Sequence, residues 1–258
     1  MMIATLGATS LIMIAFVILI WIWYLRSNNP GVIDVCWSLG IFICASAFLL
    51  IDHPASIFLL RSKIAWCLLL LWAARLSGFL WFTRISKNHR DPRYEAISNH
   101  WKISRSLGFL LNYILQGFLM MMIALPFLSI AKQSAVNLLI TDYLAMILVC
   151  IGLVGESIAD WQLYQFKRSV QGIVCEVGLW NYSRHPNYFF EWVIWLGFSL
   201  FGISSHYGFM ALISPIVLLV IFVFVTGPIT ERQSLKSKGE LFLAYQKSTS
   251  FIFPWFKR

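Results

Sequence analysis

The chain has 258 residues, of which 59% are hydrophobic and only 12% are charged, and its mean hydropathy is +0.75. This composition excludes a soluble domain and predicts an all-α integral membrane protein, because apolar runs of roughly 20 residues, long enough to cross a bilayer, recur along the chain. The five cysteines form no CxxC motif and most lie in apolar runs, which argues against a zinc or disulfide framework.

Seven transmembrane helices are predicted from the apolar runs, in one transmembrane domain that covers residues 1–258. The sixth is short and begins at a polar motif. No internal repeat is evident, and the loops are too short for a second soluble domain. The predicted spans are about 3–25, 32–51, 63–83, 108–130, 138–163, 187–203 and 207–227.

The basic residues predict that the N-terminus lies outside and the C-terminus inside the cell. With this orientation sixteen of the 20 lysines and arginines fall on the inner side, whereas Arg61, Lys63 and Lys132 fall outside and Arg75 lies within a span. The net charge of +9 therefore reflects topology and does not indicate a nucleic-acid partner. The inner group is Arg26, Arg84, Lys87, Arg90, Arg93, Lys102, Arg105, Lys167, Arg168, Arg184, Arg232, Lys236, Lys238, Lys247, Lys257 and Arg258.

The first half of the chain carries two charges in predicted spans and a polar loop. Asp34 begins the second span and Arg75 lies in the third, so the two are expected to face protein or water, and could form a pair that locks the helices. After the third span, Asp91 precedes a proline, which is a turn signal, and an interfacial helix is expected to follow. Arg93 and Tyr94 are candidates to cover a ligand, the alternative being a plain surface helix.

The stretch Gly178–Trp192 reads GLWNYSRHPNYFFEW and combines a cation, an imidazole, an amide and a phenol. Pro186 suits the first turn of a helix, where a missing N–H costs nothing. Arg184 and His185 therefore stand just before a helix N-terminus, which attracts anions. The alternative is a basic loop that contacts lipid headgroups. The C-terminal aromatics and cations have the composition of an interfacial anchor.

Every polar group inside the predicted spans falls in the cytoplasmic half, which predicts one water-filled cavity open to the cytoplasm. Cations at its mouth favour a phosphate-bearing ligand, and the acids deeper inside suit ribose hydroxyls or an amide. A dinucleotide fits this gradient, although the lack of a GxGxxG motif after a strand excludes a Rossmann site. The residues are Asp34, Arg75, Asn112, Gln116, Glu156, Asp160, Asn187, Tyr188 and Glu191 inside, and Arg93, Lys167, Arg168 and Arg184 at the mouth.

The segment Val174–Trp195, VCEVGLWNYSRHPNYFFEWVIW, resembles the C-terminal signature of the membrane steroid 5-alpha-reductase family, in its bacterial branch. The resemblance covers nearly the whole chain. One departure is Phe190, where the family usually has glycine. The other similar stretches are Asp34–Gly40, Asp91–Tyr94, Ala159–Lys167 and Gly227–Trp255.

The resemblance implies a seven-helix enzyme of a bacterial inner membrane, with its cofactor signature in residues 142–258 and NADPH bound on the cytoplasmic side. Such an enzyme transfers hydride to a C=C bond conjugated to a carbonyl, whose oxygen a protein acid polarises. The acid candidates are Asp34 and Glu191, since the Gln-Glu pair and the tyrosine of steroid-reducing members are missing and Trp72 stands in the third span. The expected partners are a lipophilic substrate, steroid-like or another lipid, and membrane lipid, with no metal. The cofactor candidates are Asp160, Lys167, Asn181, Arg184, His185, Asn187 and Tyr188.

Two other functions remain open from the sequence. The RHPxY core is shared with isoprenylcysteine carboxyl methyltransferases, which use S-adenosylmethionine, although Asp160 and Glu191-Trp192 resemble the reductases more. A transporter or lipid-binding module without catalysis is the third interpretation.

Overall fold

The computed structural model describes residues 2–52, 59–87, 91–133, 135–170 and 172–257, so the inner cations Arg90 and Arg258 lie outside the described residues. In this part of the chain the regular structure is helical and no strand occurs, which confirms the all-α prediction there. The helices are α1 (Met2–Ser27), α2 (Val32–Asp52), α3 (Leu60–Leu80), α4 (Pro92–Ser98), α5 (Arg105–Ala131), α6 (Ile140–Ser169), α7 (Pro186–Ile203), α8 (Gly208–Ala211), α9 (Ile213–Ile221), α10 (Gly227–Lys238) and α11 (Glu240–Ser248).

Six helical stretches in the described ranges are long and apolar enough to cross a membrane, so the protein is an integral membrane protein. The predicted sixth span is also a helix, α7, with 18 residues. It does not belong to the six, because its first turns carry the polar residues Asn187, Tyr188 and Glu191. The six stretches are Met2–Ser27, Val32–Ile51, Leu60–Ile85, Arg105–Ala131, Ile140–Ser169 and Gly208–Lys238.

Local chemistry sets where several helices begin and end. Ser104 accepts a hydrogen bond from the backbone N of Leu107 at the start of α5, and Asp91 accepts one from that of Arg93 at the start of α4. The last apolar stretch runs beyond its predicted end, because a π-helical turn joins α9 to α10 and the proline of α10 lies in its first turn, where it is tolerated. The helix therefore continues to Lys238.

The chain divides into two compact units. The first comprises Met1–Tyr143 and Phe198–Ser214, and the second comprises Leu144–Gly197 and Pro215–Arg258. In the first unit α2 packs against α1, α3 and α5, and α1 also packs against α5. All the cofactor candidates lie in the second unit.

A buried ion pair stabilises the first unit. Both carboxylate oxygens of Asp142 accept hydrogen bonds from Arg61, from Nε and Nη2 at 2.7 Å each. The remaining Arg61 donors reach the carbonyl oxygens of Ala135 at 2.8 Å and Asn137 at 2.9 Å. Both charged side chains are 1% exposed. Arg61, which the sequence analysis placed only in an outer loop, therefore binds the segment between α5 and α6.

Helices α6 and α7 approach closely in the second unit because glycines face the contact. A Cβ atom at Gly155 would lie 2.3 Å from the ring of Phe190, and one at Gly197 would lie 3.0 Å from the carbonyl oxygen of Ala145. Phe190 occupies the position at which the membrane steroid 5-alpha-reductase family, which this sequence resembles, usually has glycine. Its ring packs against Gly155 of α6, which has no side chain.

Candidate functional site

The loop before α7 is held against α6 by side chains. It begins with a one-turn 3-10 helix, whose first residue Gly178 has φ of +58°. A Cβ atom there would lie 2.2 Å from Nε2 of Gln162, so glycine is required on both counts. Gln162 Oε1 accepts a hydrogen bond from the backbone N of Leu179 at 3.0 Å, and Trp180 Nε1 donates to the carbonyl oxygen of Ala159 at 2.9 Å.

Glu231 of α10 is the centre of the polar network around this loop. One carboxylate oxygen accepts from Arg184 Nε at 2.7 Å and lies 3.2 Å from His185 Nε2. The other accepts from Gln246 Nε2 at 2.7 Å. Glu231 therefore joins α10, α11 and the two basic residues of the loop, and it compensates the charge of Arg184 in a site where both side chains are largely buried.

Arg184 also binds the end of α11. Its Nη1 donates to the carbonyl oxygens of Gln246 at 3.0 Å and Thr249 at 2.6 Å, and its backbone N donates to the carbonyl oxygen of Ser250 at 2.9 Å. The guanidinium lies over the ring of Phe251 at 5.3 Å. Two of its three nitrogens are thus engaged by the protein, which leaves Nη2 as the nitrogen without a hydrogen bond to a described residue.

The chain after α11 is joined to the loop by further hydrogen bonds. Tyr245 donates its hydroxyl to the carbonyl oxygens of Trp180 and Ser183, and Ser183 Oγ donates to the carbonyl oxygen of Ile252 at 2.7 Å. Burial raises the pKa of Tyr245, which keeps the hydroxyl protonated as a donor. The C-terminal segment is therefore part of the candidate site.

Three rings stack beside this network. The His185 ring lies parallel to the Tyr188 ring, with centroids 4.8 Å apart, and the Tyr188 ring stacks on Phe222 at 4.6 Å. The Tyr188 hydroxyl lies 3.5 Å from Thr230 Oγ1. His185 is buried, so the stack and Glu231 fix the orientation of its imidazole.

The first turns of α7 carry a polar face against α6. Asn187 Nδ2 lies 3.4 Å from Oδ1 of Asp160, which is buried. Asn187 Oδ1 is buried and has no hydrogen-bond donor. One turn later the buried Glu191 accepts a hydrogen bond from Trp195 Nε1 at 2.9 Å. The arrangement leaves an acceptor oxygen available to a bound group that carries an N–H or O–H.

A second set of cations lines a groove at the C-terminal end of α6. The groove measures about 210 Å³ and contains Lys167 and Lys238 among apolar side chains such as Phe166. Cys175 also lines it, and burial raises the pKa of this thiol, so it is protonated at neutral pH. Asn181 is half-buried at the end of the 3-10 helix.

In the first unit, the two N-terminal motifs of the resemblance form one ion cluster. Asp34 pairs with Arg84, and with Arg93 Nη2 at 3.3 Å, while its other oxygen accepts from the Tyr94 hydroxyl at 2.6 Å. Asp91 accepts from Arg93 Nε and Nη2 at 2.9 and 2.7 Å and lies 3.3 Å from Arg84. Four charges of alternating sign thus hold α4 against α2.

Burial and the neighbouring charges shift the pKa values of Asp91 and Tyr94. Burial raises the pKa of Asp91, but hydrogen bonds from Arg93 and the charges of Arg93 and Arg84 outweigh it, so the net pKa lies below the ordinary value. Burial and the neighbouring Asp34 raise the pKa of Tyr94 well above its ordinary range. Tyr94 is therefore a permanent donor, and both oxygens of Asp34 are occupied.

The sequence left a pair between Asp34 and Arg75 open and did not identify Arg84 or Arg93 as partners of Asp34. In the structure Asp34 forms ion pairs with Arg84 and Arg93. The turn Trp81–Ile85 extends the third span and carries Arg84 to the level of Asp34.

The second unit brings most predicted cofactor residues into two neighbouring sets. Asp160 meets Asn187, and Arg184 and His185 meet at Glu231, with Tyr188 stacked beside them. Sequence reasoning missed Glu231, Gln246 and Tyr245 as organising residues, although all three lie in the Gly227–Trp255 stretch that carries the resemblance. Among the described residues, no cluster of three or more His, Cys, Asp or Glu side chains could hold a metal ion.

Comparison with known proteins gives one result. No curated protein and no solved structure matches the chain. Residues 20–249 match the model of a protein family described as "Protein of unknown function (DUF1295)". Since this match covers most of the chain, including both motif clusters, the protein belongs to the DUF1295 family.

Proposed function

We propose that this protein is a membrane reductase that uses NADPH to reduce a conjugated C=C bond of a lipophilic substrate, steroid-like or another lipid. The observation that carries the proposal is the buried oxygen Oδ1 of Asn187, which has no donor and lies on the residue that binds Asp160. A buried acceptor of this kind costs about 1–3 kcal/mol unless it is satisfied. The carboxamide or a ribose hydroxyl of the cofactor supplies the missing donor.

The residues of the second unit suit the other parts of such a cofactor. Asp160 accepts hydrogen bonds, and Lys167 and Lys238 in the groove at the end of α6 provide charge for phosphates. Asn181, His185 and Tyr188, the remaining cofactor candidates, lie on or beside the same loop, where the rings of His185 and Tyr188 are stacked on each other. Arg184 positions the loop, because Glu231 and two carbonyl oxygens occupy most of its donors.

NADPH, when bound, would supply the hydride for the reduction. The chain must then stabilise negative charge on the substrate carbonyl oxygen. Glu191 is the acid that we propose for this role, since it is buried on α7 one turn beyond Asn187. Asp34 is the weaker candidate because Arg84, Arg93 and Tyr94 already bind its carboxylate.

The proposal includes a topology. We place the N-terminus outside, the C-terminus inside a bacterial inner membrane, α7 as a seventh span, and the cofactor site in a cavity open to the cytoplasm. The asymmetry of basic residues supports this orientation. In a cysteine-free background, a membrane-impermeant thiol reagent added to intact cells should label Lys63→Cys and not Lys236→Cys. The reverse labelling pattern would show that the N-terminus lies inside and the C-terminus outside.

The test of function uses the purified protein in nanodiscs with NADPH, NADH and S-adenosylmethionine as separate probes. We expect NADPH to raise the melting temperature. At a ligand concentration of a hundred times the Kd, binding adds about 2.7 kcal/mol to the free energy of unfolding. Asn187→Leu should abolish that increase, whereas Ser157→Ala, an exposed site on α6, should retain it. Stabilisation by S-adenosylmethionine alone, with methyl transfer to a lipid, would replace the reductase with a methyltransferase. Ligand flux without any cofactor response would favour a transporter.

A further inference from the structure

A cavity of about 330 Å³ lies beneath the C-terminal segment, separate from the groove of Lys167 and Lys238. Arg184 and Lys247 line it on the polar side, and Phe251, Trp255 and Phe256 line it on the apolar side. Lys247 is exposed and makes no ion pair with a described residue. Arg184, whose Nη2 group has no hydrogen bond to a described residue, lines the same cavity. The cavity thus combines two cationic donors with aromatic walls.

Two of the aromatic side chains that line the cavity, Trp255 and Phe256, are exposed, and the segment that carries them contacts Tyr182 of the loop before α7. Trp255 is 68% and Phe256 76% exposed. The backbone N of Trp255 donates to the carbonyl oxygen of Tyr182 at 2.9 Å, and the Phe256 ring packs edge-on against the Tyr182 ring at 6.1 Å. Phe253, also exposed, packs edge-on against Trp192 of α7 at 5.5 Å. Exposed aromatic residues next to lysines are typical of segments that lie at a membrane–water interface.

The charge at the end of α11 also suits an anion. The C-terminal carbonyl groups of a helix repel negative charge. Here Arg184 Nη1 covers the carbonyl oxygens of Gln246 and Thr249. These two carbonyl oxygens are therefore already hydrogen-bonded, and Lys247, which forms no ion pair with a described residue, lines the cavity.

We propose that this cavity and its aromatic rim bind the phosphate headgroup of an anionic phospholipid from the membrane that surrounds the protein. The phosphate accepts from Lys247 Nζ and Arg184 Nη2, and the acyl chains lie along Trp255 and Phe256. The bound lipid stabilises the C-terminal segment on the loop before α7. The proposal does not depend on the reductase assignment.

The experiment compares nanodiscs of phosphatidylcholine alone with nanodiscs of equimolar phosphatidylcholine and phosphatidylglycerol. We expect the anionic lipid to raise the melting temperature of the wild-type protein, and native mass spectrometry to find phosphatidylglycerol retained. Lys247→Gln should lower that retention roughly five-fold, the factor that corresponds to about 1 kcal/mol for one cation at an anionic surface. Lys247→Glu should lower it further. Lys236→Gln, an exposed lysine of α10 that does not line the cavity, should leave it unchanged.

A second experiment, in detergent, tests whether the cavity binds a soluble phosphate compound instead of a lipid headgroup. Inorganic phosphate, glycerol 3-phosphate and NADPH should not stabilise the protein through Lys247. If one of them does so and phosphatidylglycerol does not, the cavity binds a soluble phosphate and the lipid proposal is wrong. Equal retention of phosphatidylglycerol by the wild type and both Lys247 variants would also overturn it.

Discussion

Replacing Glu231 with glutamine tests whether the carboxylate network holds the candidate site together. Glu231 compensates the charge of Arg184 and accepts hydrogen bonds from Arg184 and Gln246 at 2.7 Å each. Glutamine keeps the shape but removes the charge and puts an NH₂ group in place of one acceptor. A hydrogen bond to a charged group contributes about 1.5–3 kcal/mol, and a fully buried pair that loses one partner costs about 3–5 kcal/mol. Since Arg184 is 13% and Glu231 11% exposed, we expect about 2 kcal/mol.

The assay is thermal unfolding of Glu231→Gln in nanodiscs, where about 2 kcal/mol corresponds to a fall of roughly 4–8 °C in the melting temperature for a chain of this size. Glu240→Gln, an exposed position on α11, is the matched control and should unfold with the wild type. Combining Glu231→Gln with Arg184→Gln should cost less than the sum of the single changes, because the two side chains contact one another. A melting temperature for Glu231→Gln equal to that of Glu240→Gln would refute the role of Glu231 as the centre of the network.

Three further predictions concern other contacts. Arg61→Ala should destabilise the protein by about 3–5 kcal/mol in chemical denaturation, because it leaves Asp142 buried and unpaired; an effect below that of an exposed Arg→Ala change would contradict this. Gly155→Ala should lower the melting temperature because its Cβ atom would meet the Phe190 ring, and Phe190→Ala in the same chain should restore part of the loss; additive losses would show that the two do not meet. The pKa of Asp91 is lowered in the folded state, so its stabilising contribution is complete above its ordinary value of 3.8 and is lost as the pH falls below it; the acid limb of a pH–stability profile should therefore be flatter in Asp91→Asn, and an unchanged limb would count against the ion cluster.

The helices were predictable because their signal is local. The predicted span 32–51 lies within α2 at Val32–Asp52, and 187–203 differs from α7 by one residue. Periodic apolar runs and a helix-starting proline carry this information in the sequence itself. The errors occur where a helix continues through a π-helical turn, as at Phe222–Thr226, since no residue type there marks the change.

The pairing of polar groups was not predictable to the same extent. The sequence marked Arg184 and Asp34 as important, but each has partners chosen by tertiary packing. Glu231 lies 47 residues from Arg184 along the chain, and Arg84 lies 50 residues from Asp34. A sequence separation of this length does not indicate which side chains meet in the fold. From one sequence, several acids are therefore equally good candidates to pair with a given cation. The packing of α10 and α11 against the loop decides among them.

The long sequence separation of these contacts has a consequence for biosynthesis. The carbonyl oxygens that accept hydrogen bonds from Arg184 and Ser183 belong to residues 62, 65 and 69 positions later in the chain. While the ribosome is still making α9, the loop before α7 therefore lacks the backbone groups that complete it. We expect the membrane helices to insert as they are synthesised, and this loop to reach its final shape only after residues 246–252 have been made. Nascent chains halted before Gln246 should then be cleaved by protease at this loop far more readily than the finished protein.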